Sequence, residues 1–144
     1  MESLCFSCVV ENDSNFNDLG LEIWIDSNKF YDNNIATGKT SIKYSFPEYE
    51  AEHILKIILK NKQPKHTSID NNGKITDDAT ISIANIYFDD TSMDEIFFKF
   101  AKYTHNFNDT ADEITEKFFG TLGCNGTVTF NFKTPFYMWL LEHL

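Results

Sequence analysis

The stretch Lys74–Asp90, KITDDATISIANIYFDD, constrains the fold more than any other part of the chain. Ile75, Ala79, Ile81 and Ile83 share one side of an extended chain by the period of two, and Ile86 and Phe88 continue the apolar series out of phase. One extra residue near Ala84 or Asn85 restores the phase. This predicts a bulged central strand with carboxylates at both ends.

The same alternation recurs on either side of it. Residues 4–10, LCFSCVV, read as a short apolar strand, and Glu11 to Asp18 as polar loop. Leu21, Ile23 and Ile25 alternate with polar or aromatic neighbours, a short partner strand carries Phe30 and Tyr31, and Ile42, Tyr44 and Phe46 run up to Pro47. Leu55, Ile57 and Leu59 form one face of a further segment whose other face holds Ile54 and Ile58. A short helix within 48–60 is the alternative there, and the isoleucines favour a strand. Asn72-Gly73 signals a reversal before the central strand.

Beyond Thr91, Ser92 and Glu95 fit a capping box, with Met93, Ile96, Phe97, Phe100 and Ala101 spaced for one helix face. Tyr103, His105 and Phe107 alternate again, and Gly120, Gly123 and Gly126 punctuate a tight segment. Val128, Phe130 and Phe132 form a strong last strand. Thr134 and Pro135 fit the N-cap and first position of a helix over FYMWLLEHL. The expected fold is mainly β: one domain over 1–144, an antiparallel sandwich or jelly roll with one or two short helices, the apolar segment 134–144 included. An α+β sheet with a packed helix is the alternative.

A formal charge of −10 argues against binding a nucleic-acid backbone, as does the scatter of the 12 basic residues, all of them Lys. Cys5, Cys8 and Cys124 are an odd set, and the amino terminus has no basic leader, so the chain is expected to be made in a reducing compartment without a signal peptide. The sequons at Asn12, Asn108 and Asn125 are then chance matches. No run approaches the roughly 20 apolar residues of a membrane span.

Several clusters invite chemistry. Cys5-x-x-Cys8 lacks the further ligands of a zinc site and reads as ordinary thiols. Asp77, Asp78, Asp89, Asp90 and Asp94 bracket the central strand, where loops can gather oxygen ligands for calcium. Their spacing fits no EF-hand loop, and a solvated acidic rim is the competing reading. Cys124 and His105 lack a nucleophile signature, and no phosphate loop, HExxH or GxSxG occurs. Catalysis is therefore not expected. Trp24, on the outer face of its strand, is a candidate sugar platform, and Phe136, Tyr137, Trp139 and Leu140 are candidate partner contacts.

The segments AEHILKIILKNKQPKHTSIDNNGKITDDATISIANIYFDD, YTHNFNDT and KFFGTLGCNGTVTFNFKTPFYMWLLEHL resemble a group of small, mostly uncharacterised proteins of tailed bacteriophages, marine ones in particular. The resemblance spans roughly residues 20 to 144 and is most specific at GCNGTV and TPFYMWLLEHL. It implies a non-enzymatic structural or decoration protein in or on the virion, docked to other virion proteins or to further copies of itself. More remotely, the order LEIWID, central strand, IYFDD looks like the calcium-dependent xylan-binding modules of the β-sandwich type. That likeness implies a carbohydrate-binding-module-like sandwich recognising a host surface glycan, with calcium, the one cofactor implied, sought at Asp89, Asp90 and Asp94.

Overall fold

The computed structural model describes residues 2–144. About 55% of the chain is strand and 13% helix, which places it in the mainly-β class. The strands of the first half are β1 (Ser3–Asn12), β2 (Gly20–Ile25), β3 (Asn28–Asn34), β4 (Gly38–Pro47), β5 (Ala51–Lys60) and β6 (Thr67–Ile69). There follow β7 (Ile75–Asp78), β8 (Ile81–Phe88), β9 (Thr91–Ser92), helix α1 (Asp94–Phe100), β10 (Lys102–His105), β11 (Ile114–Lys117), β12 (Thr121–Leu122), β13 (Gly126–Thr134) and helix α2 (Phe136–His143).

Every ladder is antiparallel. One sheet has the order β12-β8-β1-β4, with β9 also on β8; the other has the order β11-β10-β13-β5-β2-β3. Their apolar faces meet to form a β-sandwich. Phe88 of the first sheet lies 4.9 Å from Phe132 of the second, and Phe6 lies 6.0 Å from Phe30. Leu4, Phe6, Cys8 and Val10 from β1 face Leu21, Ile23, Leu55, Ile57, Val128 and Phe130 within one buried cluster. The α1 residue Phe97 packs 4.7 Å from Phe130, covering part of the larger sheet.

The bulge lies where the phase shift of the apolar residues predicts it. Ser7 pairs with Tyr87 and Val9 with Ala84, so Asn85 and Ile86 oppose Cys8 alone. Asn85 adopts a positive φ of 52°, and Ile86 and Phe88 return to the core. The expected single strand from Lys74 is nevertheless two. Ala79 turns aside to donate its backbone N–H to the His66 carbonyl at 2.9 Å, leaving Ile75 exposed on a separate β6–β7 hairpin. β8 also lies one place from the sheet edge, and β1 is the strand between the two longest ladders of its sheet.

Two helix starts depart from the sequence signals. Ser92 is paired with Tyr87 in β9, and Met93, the N-cap of α1, makes no side-chain cap. At α2 the N-cap is Pro135, not Thr134; the Phe136 N–H is met by the Glu48 carboxylate at 2.8 Å, because the Thr134 hydroxyl is engaged elsewhere.

Candidate functional site

The most organised polar constellation sits where β13 ends and α2 begins. Asp26 occupies the β2–β3 turn with φ 55°, His53 lies on the inner face of β5, and Thr134 is the last residue of β13. His53 Nδ1 stands 2.7 Å from Asp26 Oδ2 and its Nε2 3.0 Å from Thr134 Oγ1. The ring is buried and stacks on Phe132 at 5.1 Å.

The arrangement has the outline of a carboxylate–imidazole–hydroxyl set, and the direction of the hydroxyl proton argues against that chemistry. The Thr134 hydroxyl donates its single proton to the Tyr49 carbonyl. Directed at that carbonyl, the proton is not aimed at Nε2, as base activation of the hydroxyl would require. Asp26 Oδ1 accepts the Ile54 N–H at 2.9 Å, fixing the carboxylate against Nδ1. The set is a clamp that ties β2, β5 and β13 together at the root of α2.

α2 itself is divided. Phe136 and Trp139 are buried against the chain's own core: Phe136 lies 4.8 Å from Phe88, and Trp139 lies 5.6 Å from Phe130. The expectation that both contact a partner is corrected, since hydrophobic burial has already claimed them. Leu140 is half-buried against the same cluster. Tyr137 is exposed as expected, and with it Met138, Leu141 and Leu144, at 52%, 64%, 73% and 80% of their surface. Residues 137, 141 and 144 follow the helical repeat, so these side chains share one outward face. A groove of about 420 Å³ beside it runs between α2 and the ends of β5 and β13, lined by Glu52, Lys133, Pro135, Met138, Trp139 and Glu142.

The candidate calcium ligands do not converge. Asp89, with φ 53°, accepts the Cys5 N–H at 2.9 Å and so closes the end of the β1–β8 ladder. Asp94 accepts the Ile86 and Asn85 N–H groups at 2.7 and 3.2 Å, satisfying the two donors freed by the bulge. Asp90 points to solvent. Among the described residues no group of three or more His, Cys, Asp or Glu side chains is placed to hold a metal ion.

The thiols are equally committed to structure. Cys5 and Cys8 fall on opposite faces of β1 because they are three positions apart, an odd step, and burial pushes the Cys8 thiol up to about 12. Cys124 is raised by burial as well. Tyr103 Oη accepts the Cys124 N–H at 3.0 Å and donates to its carbonyl. Both His105 ring nitrogens are taken, by Glu116 at 3.1 Å and the Phe107 N–H at 3.3 Å, so His105 is no base for that thiol.

Trp24 is on the outer face as expected, half-buried, with Nε1 donating to Glu22 at 2.9 Å and Lys29 Nζ 5.6 Å over its ring.

The clamp, the exposed face of α2 and a buried lysine escape the sequence reading. Lys62 Nζ is buried and donates to Asp78 at 2.7 Å, to the Gly123 carbonyl at 2.9 Å and to the Ala79 carbonyl. The members of the clamp and the partners of Lys62 lie far apart in sequence, and no local signal marks them. No protein-family model, curated protein or solved structure matches the chain.

Proposed function

We propose that this chain is a non-enzymatic structural or decoration protein of a tailed-phage particle, docked to other particle proteins through α2. The exposed apolar face of Tyr137, Met138, Leu141 and Leu144 carries this reading. Phe136 and Trp139 root that face in the core, so it is presented rigidly and is not a frayed end. The phage assignment itself rests on the resemblance of the ending GCNGTV and TPFYMWLLEHL. The buried, hydrogen-bonded rings of His53 and His105 agree with a scaffold role.

Magnitudes say what kind of docking this would be. Full burial of a Leu- or Met-sized side chain contributes about 1.5–3 kcal/mol, so four that are already one-fifth to one-half covered supply roughly 4–8 kcal/mol. Association costs on the order of 4–15 kcal/mol before any affinity appears. α2 is therefore an anchor that needs neighbouring contacts or several copies to hold, as in a particle lattice.

The double substitution Met138→Glu/Leu141→Glu places two charges on the face without touching Phe136 or Trp139. The expected result is an unchanged unfolding midpoint together with loss of the protein from purified particles of the phage that encodes it. Retention at wild-type copy number overturns the docking role of α2.

A further inference from the structure

Lysines that are scattered along the chain are aligned on the larger sheet. Lys117 stands opposite Lys102, Lys102 opposite Thr129, Thr129 opposite Lys56, Lys56 opposite Trp24, and Trp24 opposite Lys29. These six positions form one row across all six strands. The row lies on the outer face, because the adjacent residues Tyr103, Val128, Ile57 and Ile23 are in the core. At a strand separation of about 4.8 Å it spans roughly 24 Å.

The row holds four cations and no carboxylate. Lys56, Lys102 and Lys117 are exposed, and among the described residues none of them makes an ion pair. Like charges directly opposite each other weaken a sheet. In a chain with 22 acidic residues, Lys102 facing Lys117 is a repulsion that nearby carboxylates could have relieved and do not. At the other end, Glu22 and Asp32 are balanced by two ammoniums, Lys60 Nζ at 2.9 and 2.6 Å and Lys29 Nζ at 2.9 Å from Asp32, which leaves Lys56, Lys102 and Lys117 as the row's free cations among the described residues. A shallow depression of about 580 Å³ lies beside Trp24, with Ile54, Lys56 and Ile58 in its wall and Asp26, which is held by His53 and the Ile54 N–H, at its edge. Thr104, Thr115 and Thr127 form a hydroxyl row alongside.

We infer that this row binds a linear acidic polysaccharide laid across the strands. Lys56 and Lys102, neither of them in an ion pair among the described residues, stand on alternate strands, roughly 10 Å apart. That interval suits an extended glycan carrying one carboxylate or sulfate per disaccharide. Trp24 and its depression offer a ring-sized apolar platform, and the threonines offer hydrogen bonds to sugar hydroxyls. Single-stranded nucleic acid is the poorer fit, since such sites stack successive bases on several aromatic side chains and this row contains only Trp24. The inference does not rest on α2 or on the particle assignment.

The test is titration calorimetry of the full chain at low salt with hyaluronan oligosaccharides, which carry one carboxylate per disaccharide. Binding is expected, weakening as salt rises. Lys102→Gln/Lys117→Gln should weaken it about tenfold, the loss of two exposed charge pairs. Lys43→Gln/Lys99→Gln, which removes two cations outside the row, should leave it unchanged, and so should Met138→Glu/Leu141→Glu. No binding overturns the inference, as does binding indifferent to salt and to Lys102→Gln/Lys117→Gln. Equal affinity for a neutral xylan oligosaccharide would give the site to Trp24 alone. Tighter binding of oligothymidylate would give it to nucleic acid.

Discussion

Replacing Trp139 by alanine tests the division of α2 into a core half and a presenting half. The indole is 6% exposed, packs 5.6 Å from Phe130 and 6.1 Å from Phe136, and stacks on His143 at 4.2 Å. Truncating a buried Trp to Ala typically costs about 3–5 kcal/mol, from lost transfer free energy and from the cavity left behind. The helix ends only a turn later at His143, so it can settle partly into the space, which argues for the lower part of that range, about 3–4 kcal/mol. For a chain of this length that corresponds to a fall in Tm of about 10 °C. Leu141→Ala, on the exposed face, should stay within about 0.5 kcal/mol of wild type. Urea unfolding of the three proteins, with slopes compared to check that the unfolded states match, measures both effects. Equal midpoints for Trp139→Ala and Leu141→Ala would refute the assignment of Trp139 to the core, and with it the claim that the outward face is rigidly held.

Two further outcomes follow from the polar groups. Lys62→Met leaves Asp78 without its ammonium and the Ala79 and Gly123 carbonyls without their donor; removing one partner of a buried pair costs about 3–5 kcal/mol. Asp78 is one-third exposed and keeps a 2.8 Å bond from Thr67, so a loss of about 3 kcal/mol in urea unfolding is expected, and a neutral result would show that the ammonium organises nothing. Lys65 and His66 beside Asp18 hold its carboxyl down at about 2, from an ordinary 3.8. A depressed carboxylate contributes stability above its unfolded value and loses it as pH falls toward its folded one, so the effect should vanish between about pH 4 and pH 2. Asp18→Asn should accordingly flatten the acid limb of stability against pH in that window, and an unchanged limb would count against the pairing.

The elements that were legible in the sequence are those in which burial alternates with the backbone. Leu21, Ile23 and Ile25, or Val128, Phe130 and Phe132, declare one face of a strand because successive side chains point to opposite sides. The bulge at Asn85 was legible for the same reason, since only an inserted residue brings Ile86 and Phe88 back to the core. Where side chains were spent on distant backbone, local signals misled. Ser92 with Glu95 has the spacing of a capping box, yet Ser92 lies in a strand pair and α1 begins uncapped. Asp89 and Asp94 have the composition of a calcium site, and instead satisfy N–H groups of β1 and β8. The hydrophobicity of the terminal helix marks candidate contacts, but it could not say that Phe136 and Trp139 pack on their own chain while Met138 and Leu141 stay exposed.

The sequence by itself determined the class of fold and the longer core strands with their inward faces, because the two-residue period of buried side chains is a local property of an extended chain. It also determined that no stretch has the length and apolarity of a membrane-spanning helix. Only the tertiary structure decided which strands are neighbours, and neighbours are what create sites. Asp26, His53 and Thr134 become a clamp through the pairing of β5 with both β2 and β13. Lys29, Lys56, Lys102 and Lys117 become a single charged row through the register of six strands, from positions whose separation in sequence gave no sign of it. Register is set by the fit of whole sheets, in which a slip of one residue would turn every lysine of the row toward the core.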